Sequence, residues 1–249
     1  MGTKYSMPLV PLADFTVVMP AHILTQEHLR LTENAVKSFE GPELIVIDDA
    51  SPQGGGYLRS IADIYIRNKE NLGYAKSVNR GLRMAKTKYI AVANNDIRVS
   101  HNWMDVADEV FRGDENCYSC HFRMTDYDVP FEFGNTILYE GKERWCHASF
   151  FVINKSKALF YYDEEYFNTY DDWDYFHMVR SAGLKQCYTD RAQFQHIHSA
   201  TIPHMPKHNE RNLANREYFK NKWGDYAEAL FRKQFPKQML TYYPDGFKL

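Results

Sequence analysis

No stretch of this 249-residue chain is apolar for the roughly 20 residues a membrane helix needs. Basic excess is also missing: 30 Lys and Arg stand against 32 Asp and Glu, for a net charge of −2. Nothing here would track a phosphate backbone, so general nucleic-acid binding is not expected. Met1 to Asp14 lacks the charged-then-apolar pattern of a secretory signal, which makes a cytoplasmic location the expectation. Cysteine is scarce, four in all, and fits reduced thiols better than a disulfide framework. There is no internal repeat and no low-complexity segment. Cys117-Tyr118-Ser119-Cys120-His121 spells a c-type haem attachment pattern. No small helical fold accompanies it, and no second ligand pair follows to complete a zinc site. It reads as a strand carrying two thiols. What remains is ordinary globular material, 44% hydrophobic and 25% charged, long enough for one large α/β domain, alone or with a tail. Aromatic content is high at 15%, with 18 Tyr, which suits sugars and bases but also fills cores.

Phe15 to Met19 is a short apolar run closed by Pro20, and reads as a buried strand. A helical pattern follows, with Leu29, Thr32, Val36 and Phe39 on one face, Thr25 as N-cap and Gly41-Pro42 as the stop. Leu44 to Ile47 is a second strand ending in Asp48-Asp49, followed by a glycine-rich loop from Ser51 to Gly56. Asp63 to Ile66 reads as a third strand. The next helix, Gly73 to Ala85, turns Ala75, Val78, Leu82 and Ala85 inward. Tyr89 to Ala93 is a fourth strand, ending in Asn94-Asn95-Asp96. Strands alternating with helices argue for a mostly parallel sheet covered on both faces. Beyond Ser100 the pattern mixes: a helix over Trp103, Val106, Val110 and Phe111, and strands around Tyr118–Met124 and Ala148–Ile153. A helix from Asp171 to Gly183 follows, then one or two helices and an aromatic, basic tail after Arg211.

One acidic pair after a strand means little. Polar clusters at consecutive strand ends describe one crevice, where open α/β sheets bind ligands. The clusters here are Asp48-Asp49, the Asn71-Leu72-Gly73-Tyr74-Ala75-Lys76 to Asn79-Arg80-Gly81 stretch, and Asn94-Asn95-Asp96. With Val17 to Pro20, Asp171-Asp172-Trp173-Asp174, Arg180 to Gly183, His196 to Thr201 and Lys222-Trp223-Gly224, they resemble the family-2 glycosyltransferases in family order over residues 15–224. The resemblance implies an α/β, Rossmann-like GT-A fold with a mostly parallel central sheet flanked by helices. It places a catalytic domain over 1–212 and a short C-terminal helical extension and tail over 213–249.

The resemblance also implies roles. Asp49 matches the carboxylate that accepts the uracil N3–H, a donor that cytosine lacks. His22 lies where the family places a residue against the base, after Pro20 and Ala21, and Asp48 supports the site. Asn71, Gly73 and Asn95 complete the nucleotide set, with Lys76 as a candidate for the diphosphate. Asp96 matches the last Asp of the family's D-x-D metal motif, whose first Asp is Asn94 here, and His196 matches a late histidine ligand. His198 stands two residues on as the alternative. A divalent cation, Mn2+ or Mg2+, would neutralise the departing diphosphate. Asp172 matches the catalytic base, in a cluster of three carboxylates whose mutual repulsion favours proton uptake. Trp145 to Ser149 falls where relatives line the sugar pocket. Asp163-Glu164 matches the lead-in to the acidic motif.

The expectation is therefore a hexosyltransferase: metal-dependent, inverting transfer of one sugar from a UDP-sugar to an acceptor hydroxyl. The partners are that donor, an unspecified saccharide, glycan or small-molecule acceptor, and a second copy of the chain as a possible homo-oligomer. UDP-glucose is the first choice because it is a common donor, not because of any residue. The processive members carry a Gln-x-x-Arg-Trp motif and membrane helices, which this chain lacks. Two rivals stand beside this reading: a nucleotidyltransferase acting on sugar phosphates, and a non-catalytic nucleotide-sugar-binding relative, which Asn94 would suit.

Overall fold

The computed structural model describes residues 10–126, 129–138, 148–197 and 208–224. After a 3-10 turn the chain alternates through β1 (Phe15–Ala21), α1 (Gln26–Phe39), β2 (Glu43–Asp48), α2 (Gly55–Ile61), β3 (Ile64–Arg67), α3 (Tyr74–Met84) and β4 (Tyr89–Ala93). The second half comprises β5 (Ile97–Val99), α4 (Trp103–Gly113), β6 (Cys117–Asp126), β7 (Ile137–Leu138), β8 (Phe150–Asn154), α5 (Asp171–Ser181), β9 (Lys185–His196) and α6 (His208–Trp223). One sheet runs β3-β2-β1-β4-β8-β6-β9-β5, with β7 paired to β9. The first four strands are parallel. β8 is antiparallel to β4 and β6, and β6 is parallel to β9. The carboxyl end of β9 therefore returns to the edge where β1, β2 and β4 also end.

Period-two alternation sorts the core. Phe15, Val17 and Met19 of β1 pack on one face with Ala35 and Phe39 of α1 and Trp103 of α4. Val18 packs on the other with Val78 and Leu82 of α3 and Tyr175 and Phe176 of α5. Burying each such side chain contributes about 1.5–3 kcal/mol. Helix α1 starts where expected, His28 N donating to Thr25 Oγ1 at 3.2 Å. Its buried stripe is His28, Leu31, Thr32, Ala35 and Phe39, with Leu29 and Val36 half-buried beside it. Pro20 lies inside β1 rather than beyond its end. Pairing with β4 stops at Val18 while pairing with β2 continues to Ala21, so β1 has a neighbour on one side only at the proline.

Two expectations need correcting. The glycine-rich segment read as loop becomes helical at Gly55, once Gly54 has turned the chain with φ 72°. Cys117 of β6 and Cys187 of β9 are joined as a disulfide, with Cα atoms 6.1 Å apart, rather than standing as reduced thiols. Their separation of 70 residues leaves no local signature; the pairing of β6 with β9 brings them together. His121 is a core residue, stacked on Phe151 with Nε2 2.9 Å from Ser119 Oγ. The division at 212/213 runs through α6, a continuous helix. Among the described residues no helix is long and apolar enough to cross a membrane.

Gly81 sets the approach of α3 to β1. A Cβ there would sit 2.3 Å from Val18 Cγ1. Gly81→Ala should therefore destabilise the fold by about 1–3 kcal/mol, read as a lowered melting temperature. An unchanged melting temperature would contradict that packing.

Candidate active site

Strand β2 delivers both aspartates, but they do different work. Asp48 is wholly buried; its carboxylate accepts from Ser51 N at 2.8 Å, from the Tyr65 hydroxyl at 2.6 Å, and from Arg67. It is consumed in holding the turn after β2, where Ala50 takes a left-handed φ of 56°. Asp49 faces the other strand ends. Its Oδ1 accepts from Asn68 Nδ2 at 2.7 Å and Leu72 N at 2.8 Å, and Oδ2 accepts from Gly73 N at 2.9 Å. A carboxylate offers about four acceptor positions, so one is left for an incoming donor. These bonds also explain Gly73. It holds φ 86°, and a Cβ would lie 3.0 Å from the Phe167 ring. Asn71 Oδ1 accepts from the same Gly73 amide at 3.0 Å.

Pro20 and Ala21 are buried at the end of β1, where Ala21 O accepts from Asp49 N at 2.8 Å. His22 follows, half-buried, with Nδ1 2.6 Å from Asp49 O. A carbonyl only accepts, so Nδ1 carries the proton. Asn95 turns its amide to Thr32 Oγ1 of α1 at 2.9 Å, a bond that secures the turn after β4. Lys76 is half-buried on α3, where its charge acts on Glu164.

On that turn, Asp96 Oδ1 lies 3.2 Å from His196 Nε2, misaligned for a hydrogen bond. Asn94 Oδ1 and Asp96 Oδ1 are both buried and have no hydrogen-bond partner among the described residues. Ser149 Oγ stands 3.3 Å from His196 Nδ1, on the far side of the ring. An orphaned carboxylate oxygen beside an oriented imidazole, with the orphaned Asn94 Oδ1 two residues earlier in the chain, is a donor set that fits a divalent cation. Among the described residues no three His, Cys, Asp or Glu side chains are grouped so as to hold a metal ion. His198 lies outside the described residues, as do Trp145, Cys146 and His147.

Helix α5 opens with the acidic cluster, after Tyr170 at φ 63°. Asp171 is 5% exposed, and its Oδ2 has no hydrogen-bond partner among the described residues. Asp172 Oδ1 accepts from Trp173 N at 2.9 Å. Burial raises both carboxyls well above their ordinary range, and the neighbouring Asp172 charge lifts Asp171 further. Asp172 is pushed up to about 6, against the pull of the helix-terminal amides. Asp174 is different again. Wholly buried, it accepts from Trp223 Nε1 at 2.6 Å and pairs with Lys222 at 2.8 Å, whereas Arg180 bonds Gln186.

Tyr74 joins the clusters. It follows Gly73, its backbone N–H donates to Asn168 Oδ1 at 2.6 Å, and its hydroxyl donates to Ala148 O at 3.1 Å. Burial first, then the charges of Asp171, Asp172 and Asp96, raise its phenol well above the ordinary value. One side chain thus feels the acidic pair and the aspartate beside His196 together. Sequence reasoning gave Tyr74 no role of its own within its cluster and missed Asn68 and Asn168. Asn68 had a signal, since it directly follows a strand end like the other polar clusters.

The profile of glycosyl transferase family 2 matches residues 16–187, ending before His196 and α6. Two crystal structures of S. aureus TarS residues 1–349 share the fold. The one in complex with UDP is 13% identical with a TM-score of 0.62, covering 94% of this chain and 74% of that one. The one in complex with UDP-GlcNAc is 12% identical with a TM-score of 0.67, covering 94% and 75%. The longer TarS structure has a TM-score of 0.61 at 12% identity, and this chain covers 46% of it. Among curated protein sequences none matches significantly. With the GT-A architecture in place and the profile spanning more than half of its length, the chain belongs to glycosyl transferase family 2.

Proposed function

We propose that this glycosyltransferase moves a single sugar from a UDP-sugar to an acceptor hydroxyl, with inversion, using Asp172 as base. The observation that carries the reading is the position of Tyr74. It adjoins the loop that binds Asp49 and feels the charges of Asp96, Asp171 and Asp172, which supports one crevice for the residues assigned to nucleotide, metal and base. Asp49 would take the uracil N3–H with its remaining acceptor position, and His22 would border the base. The acceptor oxygen forms its bond to the anomeric carbon as the bond from that carbon to the β-phosphate oxygen breaks. Asp172 takes the acceptor proton, and the electron pair leaves with UDP. Asp96 and His196 would hold a divalent cation, which supplies charge to the departing diphosphate when bound. Direct displacement from the face opposite the diphosphate inverts the anomeric centre.

UDP release from UDP-glucose and UDP-GlcNAc in Mn2+ tests the reading, the second donor being the one found on TarS. Calorimetry with UDP then tests the metal ligands. Asp96→Ala should abolish metal-assisted UDP binding, and His196→Ala should weaken it about tenfold or more. If EDTA leaves binding and turnover untouched, the metal assignment is wrong. If His198→Ala is the damaging change, the ligand is the other histidine.

A further inference from the structure

The segment between β8 and α5 carries two non-glycine residues in the left-handed region, Asn168 at φ 60° and Tyr170 at φ 63°. Such backbone persists only where its surroundings over-determine it. Helix α6 supplies the restraint. Asn215, 7% exposed, points its amide Nδ2 at Phe167 O (3.3 Å), Thr169 O (2.9 Å) and Thr169 Oγ1 (2.7 Å). Arg211 lies over the Phe167 ring at 4.2 Å. About two turns beyond Asn215, Lys222 and Trp223 grip Asp174. The restrained segment faces the active site on two sides. Asn168 Oδ1 accepts from Tyr74 N, next to the Gly73 amide that binds Asp49. Tyr170 leads directly into Asp171 and Asp172.

We propose that Asn215 is a positioning residue for sugar transfer, locking residues 167–170 so that the nucleotide loop and the acidic pair are held in register by the C-terminal helix. It touches neither donor nor acceptor. It acts because its amide donates to carbonyl and hydroxyl oxygens on the segment that both sites share. This rests on the function proposed above, and it gives α6 a role that neither its sequence nor the family profile indicates, since the profile ends at 187.

The test compares Asn215→Ala with Asn215→Asp, which keeps size and shape but presents oxygen where donors are required. Both should lower UDP release by about 10- to 100-fold, the scale expected when catalytic groups shift by about an ångström. Melting should stay cooperative, and UDP affinity in Mn2+ should fall only several-fold. Asn168→Ala should reproduce the loss of UDP affinity with a smaller loss of rate. Hydrogen exchange at residues 72–74 and 171–174 should quicken in Asn215→Asp, with α1 unchanged. That readout does not depend on turnover. Wild-type turnover and exchange in Asn215→Asp would overturn the proposal, because packing alone would then suffice. If Asn215→Ala does not fold, Asn215→Asp and Asn168→Ala decide. Failure of the unmutated protein to bind UDP would instead overturn the functional reading.

Discussion

Asp172→Asn is expected to lower turnover by about a hundred- to ten-thousand-fold while leaving UDP affinity near that of the unmutated protein. The amide keeps the size of the carboxylate but cannot take a proton. The proposed nucleotide contacts lie at the end of β2 and on the Asn71–Gly73 loop, so they should survive. Asp171→Asn and Asp174→Asn are the controls. Asp174 is bound to Lys222 and Trp223, so its loss should lower the melting temperature. The pH dependence has a definite sign. As the proposed base, Asp172 must be deprotonated to act, and burial raises it to about 6. Turnover should fall as pH drops through about 6 and level off above it. A rate limb near pH 4, or an Asp172→Asn variant that keeps most of its activity with a genuine acceptor, would exclude Asp172 as the base.

Asp49→Asn is expected to cost UDP binding about a hundredfold or more. In the native protein both carboxylate oxygens accept, from Asn68 Nδ2, Leu72 N and Gly73 N. Asparagine must turn its NH2 toward at least one of these donors. A buried donor then loses its acceptor, at about 1–3 kcal/mol, and the loop ahead of α3 shifts. The position left for the uracil imide is lost with it. Calorimetry with UDP reads the effect, and a parallel titration with Mn2+ alone should be little changed. Equal damage to both titrations would mean that Asp49 holds up the whole site and has no particular part in nucleotide binding.

How much of this was legible beforehand depends on the range of each interaction. The alternation from Phe15 to Ala93 announced the parallel half of the sheet, because period and strand-end chemistry are local. Strand β5 is only three residues, and β7 two, too short to show a period. Helix α2 was hidden by three glycines whose conformations depend on neighbours. In the site, residue types at strand ends marked Asp49 and Asp96, and the family resemblance marked Asp172 at the start of α5. Their different circumstances were invisible. The sequence offers Asp48 and Asp49 as a pair, yet Tyr65 and Arg67 of β3 claim the first. Asn95 stands inside the metal motif but bonds α1. Residue type alone did not separate the three acidic residues of α5, and only the resemblance singled out Asp172. Burial, with contacts from Lys222 and Trp223 some fifty residues later, separates them. Mutual repulsion was the expected cause of raised proton affinity; for Asp171 and Asp172 burial is the larger one.

The central claim is that the crevice beside Asp49 and Asp96 takes a uridine diphosphate with a divalent cation. Calorimetric titration of the unmutated protein with UDP and with CDP, each in Mn2+ and again in EDTA, tests it most directly. The account predicts that UDP binds at least tenfold more tightly than CDP, because only uracil presents an N3–H to Asp49, and that EDTA removes most of the affinity. Equal affinities for UDP and CDP, or a UDP affinity indifferent to EDTA, would contradict it.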